Sequence, residues 1–70
     1  MKLVTTPQEA AKMLSTRPTT VYEMLEAGEL PGYREGSYWK IPVKLLEQYV
    51  YDRAAHESAE RRKLNEEVQS

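Results

Sequence analysis

Seventy residues make one small domain at most, and a chain this short buries only about 60–65% of its unfolded surface. With no cysteine and one histidine it has neither disulfides nor a thiolate zinc site, so apolar packing and helix caps, with or without oligomerisation, must hold the fold. The formal net charge of −1 excludes a strong global attraction to polyanions. Residues 1–53 carry seven basic and seven acidic groups, and 54–70 carry three and four, so a local basic face is still allowed.

Met1-Lys2-Leu3-Val4 runs straight into polar Thr5-Thr6-Pro7, which predicts no signal peptide and, by default, a cytoplasmic protein. Nor does any apolar run approach the ~20 residues of a membrane span.

The first helix is expected to start at Thr6-Pro7-Gln8-Glu9. Thr6 caps, Pro7 takes the first helical position and Glu9 completes a capping box. Ala10, Ala11, Met13 and Leu14 supply its apolar face. Ser15-Thr16-Arg17-Pro18 interrupts it, and Pro18, barred from a helix interior, opens the next helix over residues 18–27. There Val21, Met24 and Leu25 line one face, Thr19, Thr20, Glu23 and Glu26 the other, and Gly28 stops the helix. Two short helices around a tight turn make a helix-turn-helix candidate.

Gly28-Glu29-Leu30-Pro31-Gly32 reads as turn material. Tyr33-Arg34, a turn at Glu35-Gly36-Ser37, and Tyr38-Trp39-Lys40-Ile41 form a hairpin, ended by Pro42. By twofold alternation Trp39 and Ile41 share one face and Tyr38 and Lys40 the other. An isolated hairpin is not stable, so Trp39 and Ile41 are placed in the core, with Tyr22, Tyr33 and Tyr49 half-buried around it.

A third helix begins at Val43 with Leu45, Leu46, Tyr49 and Val50 at helical spacing. Its extension over 54–70 lacks glycine and proline and has only Ala54, Ala55, Ala59, Leu64 and Val68 as apolar positions. It is expected to continue the helix and fray, with Glu57–Arg61 and Glu60–Lys63 as helix-face pairs. The chain thus divides into a domain over 1–53 and an extension over 54–70. His56 lies four residues from both Asp52 and Glu60, but no spacing offers a third ligand, and metal binding is not expected. Arg61-Arg62-Lys63, flanked by glutamates, reads as a solvated face.

Five stretches in this order carry a resemblance: Thr6-Pro7-Gln8-Glu9-Ala10-Ala11, Thr20-Val21-Tyr22, Gly28-Glu29-Leu30-Pro31, Tyr33-Arg34, and Trp39-Lys40-Ile41-Pro42 with Leu46 and Tyr49. Together they resemble the excisionase-type family of small DNA-binding domains, relatives of the winged-helix domain of the mercury-resistance regulators. The resemblance implies an α+β, mostly helical, winged helix-turn-helix: two helices, a two-stranded wing and a long C-terminal helix. It also implies that the second helix enters the major groove while the wing touches the flanking minor groove or backbone. The partners it implies are double-stranded DNA, an integrase and neighbouring copies of the chain.

The sequence departs from the family's pattern where Glu23 replaces a basic residue, where Glu35, Ser37 and Tyr38 replace wing arginines, and where Ser15-Thr16 replaces glycine and an apolar residue in the turn.

The expected DNA-contacting residues are Arg17, Thr19, Thr20, Tyr22, Glu23, Arg34, Ser37, Tyr38 and Lys40. Arg17 precedes the recognition helix and reaches phosphate or guanine. Thr19 and Thr20 either offer hydroxyls and N–H groups to phosphate at the helix N-terminus or serve only the cap. Glu23 either accepts a hydrogen bond from a cytosine amino group or is a solvated carboxylate, and Tyr22 is a core edge or a phosphate contact. In the wing, Arg34 suits the minor groove or phosphate, whereas Lys40 is a phosphate contact or an ordinary strand lysine. Tyr38 lies along the backbone of DNA or against a protein, beside Ser37.

No nucleophile–base pair, paired carboxylates or phosphate-cradling loop is legible, so the expectation is a non-enzyme without cofactor or small-molecule ligand. The resemblance implies a sequence-specific, excisionase-like architectural factor that binds adjacent sites cooperatively and bends DNA to direct integrase-mediated prophage excision. Two other readings of the same residues stand: a small transcription regulator, and an interaction module dimerising through the third helix.

Overall fold

A computed structural model describes the backbone of residues 2–69 and the side chains of 2–66. The elements in order are β1 (Val4–Thr5), α1 (Pro7–Met13), α2 (Pro18–Glu26), β2 (Tyr33–Glu35), β3 (Tyr38–Pro42) and α3 (Val43–Gln69). It is a mostly helical α+β fold, a winged helix-turn-helix with a long C-terminal helix.

Helix α1 starts as the sequence implies, with Thr6 as cap and its hydroxyl accepting the Glu9 N–H at 3.1 Å. The capping box, however, is only half formed. The Glu9 carboxylate accepts from Lys2 Nζ at 2.9 Å and Thr5 Oγ1 at 2.8 Å, and both donors come from the chain just before the helix. Those bonds hold the carboxyl below the usual glutamate range, the Lys2 bond contributing most.

Both short helices end in the same motif. After α1, the Thr16 N–H reaches Ala11 O at 2.8 Å and the Ser15 N–H reaches Lys12 O at 3.2 Å. After α2, Glu29 N–H bonds Met24 O at 2.9 Å and Gly28 N–H bonds Leu25 O at 3.2 Å. These are Schellman closures, whose pivot residue must take the left-handed conformation. Gly28 does so at φ 76°, and Ser15, a non-glycine, at φ 54°.

The wing is larger than expected. Glu35 belongs to β2, and the turn is the two residues Gly36 and Ser37, with Gly36 at φ 64° supplying the positive φ of a II′-like hairpin. The sheet also has a third strand. Val4 pairs with Pro42 and Thr5 with Ile41, so β3 lies between β1 and β2 in an antiparallel sheet.

Ala10, Ala11, Val21, Leu25, Leu30, Ile41 and Leu46 form the buried core, with Leu14, Met24, Trp39 and Tyr49 packed at its margin. Small Ala10 and Ala11 let α1 lie close on α2. Several expectations need correction. Leu30, read as turn, is buried because it follows the α2 closure directly and folds back under it, its own N–H reaching Met24 O at 3.2 Å. Met13, Leu45 and Val50, read as apolar-face residues, are exposed, because a body this small covers only one flank of each helix. Trp39 is half-buried at the sheet margin, with Ile41 as the fully buried strand residue, while Tyr22 and Tyr33 are more exposed than expected.

Gly32 is exposed but sits where a Cβ would lie 2.6 Å from Leu25 Cδ2 and 3.2 Å from Lys40 O, so the loop passes close over Leu25 and β3 with no room for a side chain.

Helix α3 runs unbroken to Gln69, 27 residues. The expected Glu57–Arg61 and Glu60–Lys63 pairs are replaced by pairs one turn earlier: Arg53 Nε to Glu57 at 3.4 Å and His56 Nε2 to Glu60 at 3.1 Å. The side chain of Val68 lies outside the described residues. No helix among the described residues is long and apolar enough to cross a membrane.

Candidate nucleic-acid interface

Helix α2 is amphipathic. Val21 and Leu25 face the core, which turns Thr19, Tyr22, Glu23 and Glu26 outward on the opposite face at helical spacing. Arg17 is the N-cap residue, extended at φ −94° and ψ 148°, exposed, and makes no side-chain cap bond. Its carbonyl takes the N–H groups of both Thr20 (3.1 Å) and Val21 (3.2 Å), and Pro18 has none to give. In that first turn the Thr19 N–H has no backbone partner among the described residues, so it is left open at the positive end of the helix, and the Thr19 side chain is exposed.

Thr20 is not part of that face. It is half-buried and lines a groove against α3 with Leu14, Met24, Tyr49 and Val50, because the helix repeat turns it about 160° from Tyr22. Its N–H is also spoken for, so the structure separates it from the outward residues with which the sequence grouped it.

Between α2 and the wing runs a second groove. It gathers Tyr22, Ser37, Tyr38 and Lys40 from the expected set, with Trp39 at its wall and Val4–Thr6 and Gln8 along its edge. Gln8 Nε2 donates to Tyr22 Oη at 3.2 Å, which fixes the phenol between α1 and the groove. Gln8 and Lys2 were missed by sequence reasoning. Their signal was available for Gln8 alone, two residues into a helix whose buried face is set by Ala10 and Ala11.

The wing's cations divide between its two sides. Strand register pairs Tyr33 with Lys40, Arg34 with Trp39 and Glu35 with Tyr38. Paired residues share a face, so Tyr33, Glu35, Tyr38 and Lys40 lie on one side and Arg34 and Trp39 on the other. The Arg34 guanidinium stands over the Trp39 ring, 5.6 Å from its centroid, a cation–π stack that holds it in place. Lys40 Nζ lies 3.6 Å from the Glu35 carboxylate, and Lys2 is held by Glu9, so both ammonium groups are partly neutralised. Tyr38 projects, 76% exposed.

Arg17 and Arg34 are thus the cations among the expected contact residues that no carboxylate holds among the described residues, while Glu23 and Glu26 are exposed on α2. A helix face with a free N-terminal N–H, a groove and a projecting hairpin are features that suit a duplex. The helix-turn-helix domain family matches the chain over residues 6–53, which takes in both short helices, the wing and the first turns of α3. No curated protein and no solved structure matches it.

Proposed function

Because the chain belongs to the helix-turn-helix domain family, a family of DNA-binding domains, we propose that it is an excisionase-like architectural factor. In this reading it binds adjacent DNA sites cooperatively, bends the duplex and directs an integrase toward excision. The observation that carries the proposal is the charge of the interface: two free arginines against two recognition-helix glutamates.

Each phosphate neutralised by a cation releases counterions and contributes affinity, so few free cations mean weak binding by one copy at physiological salt. Tight occupancy then requires neighbours that raise one another's local concentration. In the proposed complex, Arg17 and the Thr19 N–H and hydroxyl hold a phosphate at the mouth of the major groove. Glu23 accepts from a cytosine amino group, a pairing that selects C·G at that step. Tyr22, Ser37, Tyr38 and Lys40 lie along the sugar–phosphate backbone that passes through the groove. Arg34, stacked on Trp39, reaches the flanking minor groove from the other side of the wing.

The test begins with selection of a binding site from a random duplex pool. The protein is then titrated onto DNA with one copy of that site and with two, following occupancy and bend angle together. Cooperative occupancy with bending of the two-site duplex is expected. Equal affinity per site, or nanomolar binding to one site without bending, refutes the architectural reading and favours a conventional transcription regulator.

A further inference from the structure

Beyond the domain body α3 projects, and every residue from 51 to 66 is exposed except half-buried Ser58. The side of the helix that carries Leu46 and Tyr49 into the core does not stop there. Val50, Ala54, Glu57, Arg61 and Leu64 follow it at alternating four- and three-residue steps, the spacing of a helix-pairing seam. Val50 and Leu64 are 44% and 61% exposed. At the base of this seam Val50 and Ala54 form one wall of the open groove whose other wall is Leu14 and Met24.

The order of residues along the seam is complementary to its own reverse. Set antiparallel about a twofold axis level with Ala59, Ala54 comes opposite the partner's Leu64, and Glu57 comes opposite the partner's Arg61, each contact occurring twice. Small then meets large and acid meets base. The last turn of the partner's helix arrives opposite Val50, at the mouth of the groove. A parallel in-register pair would instead set glutamate on glutamate and arginine on arginine, which is repulsive. The intrachain contact of Glu57 with Arg53, 3.4 Å between two largely exposed side chains, is weak and readily exchanged.

We propose that the chain self-associates through α3 as an antiparallel twofold pair, with Glu57 bonded to the partner's Arg61 and the partner's Leu64 packed on Ala54 at the rim of the α2–α3 groove. This pairing is independent of the DNA-binding reading and is tested without DNA.

Sedimentation equilibrium of the full chain over about a thousandfold concentration range should show a monomer–dimer equilibrium. Glu57→Arg or Arg61→Glu alone should weaken association by roughly tenfold or more, since each sets like charges together in the seam. The double exchange should restore it. Circular dichroism of each variant confirms that the helix is intact, as both residues lie on the projecting part. An oxidised mixture of Ala54→Cys and Leu64→Cys chains should form the mixed disulfide in preference to either symmetric one. A monomer throughout the range, a dimer formed only on DNA, a double exchange that fails to rescue, or preferred symmetric crosslinks would each overturn the proposal.

Discussion

Ser15→Gly should make the protein more stable. The residue pivots the closure of α1 at φ 54°, where a side chain costs about 1–2 kcal/mol because its Cβ crowds the following carbonyl. Glycine removes that cost but adds conformational freedom to the unfolded chain, returning roughly 0.5–1 kcal/mol. The net expectation is a gain of about 0.5–1 kcal/mol, or roughly 2–8 °C in melting temperature for a domain of this size. The molecule contains its own control at the end of α2. There Gly28 holds the same place in the same motif at φ 76°, and a Cβ would meet nothing within 4 Å, so Gly28→Ser isolates the backbone term. It should lose about as much as Ser15→Gly gains. Thermal unfolding followed by circular dichroism, with denaturant titration to give both free energies at one temperature, measures the pair. A neutral or destabilising Ser15→Gly would refute the strain argument, all the more if Gly28→Ser were harmless.

Gly32→Ala, which places a methyl 2.6 Å from Leu25 Cδ2, should cost about 1–3 kcal/mol in denaturant unfolding. Ile41→Ala should cost about 2–5 kcal/mol, and Trp39→Ala less than the ~3–5 kcal/mol of a fully buried aromatic, because Trp39 sits at the core margin. In a gel-shift assay Arg17→Ala and Arg34→Ala should each reduce the salt dependence of DNA binding by about one unit of slope, and unchanged slopes for both would misplace the interface. Glu9 has its carboxyl depressed by Lys2 and Thr5, so its contribution is present above the ordinary glutamate range and lost as pH falls through the depressed folded value. Glu9→Gln should therefore flatten the acid limb of the stability–pH curve, whereas an unaltered limb would show the bonds do not form in solution. Deleting 54–70 should leave a folded domain with a cooperative melt, since Leu46 is the buried α3 residue that anchors it.

The helix boundaries were legible because they are written in local chemistry. Thr6 and Pro7 open one helix, Pro18 opens the next and Gly28 closes it, each by a constraint that acts within a few residues. The wing was legible from Gly36 and the alternation of Trp39 and Ile41. Strand β1 was not, because two residues carry no period and their partners, Ile41 and Pro42, are remote in the chain. Leu30 escaped for a related reason: its burial follows from the Schellman closure before it, a three-dimensional consequence of Gly28. Within the interface, the outward face of α2 could be read from helical phase, but Thr20 lies at its margin and only the position of α3 decides its side. The division of Arg34 and Lys40 between opposite wing faces depends on strand register, which residue types alone leave open.

The pairing of β1 with β3 governs the order in which this protein can be built. Val4 and Thr5 leave the ribosome before the helices, yet the residues opposite them in the sheet are Pro42 and Ile41, which must wait for both helices and the wing to be synthesised. Closing so long a loop is the most entropically demanding local step in the domain, and it comes after the contacts between α1 and α2 can already form. The nascent chain therefore carries an unpaired first strand until the wing emerges. Thr5, buried in the finished molecule with its hydroxyl on Glu9, is the residue whose late docking seals the sheet to the helices.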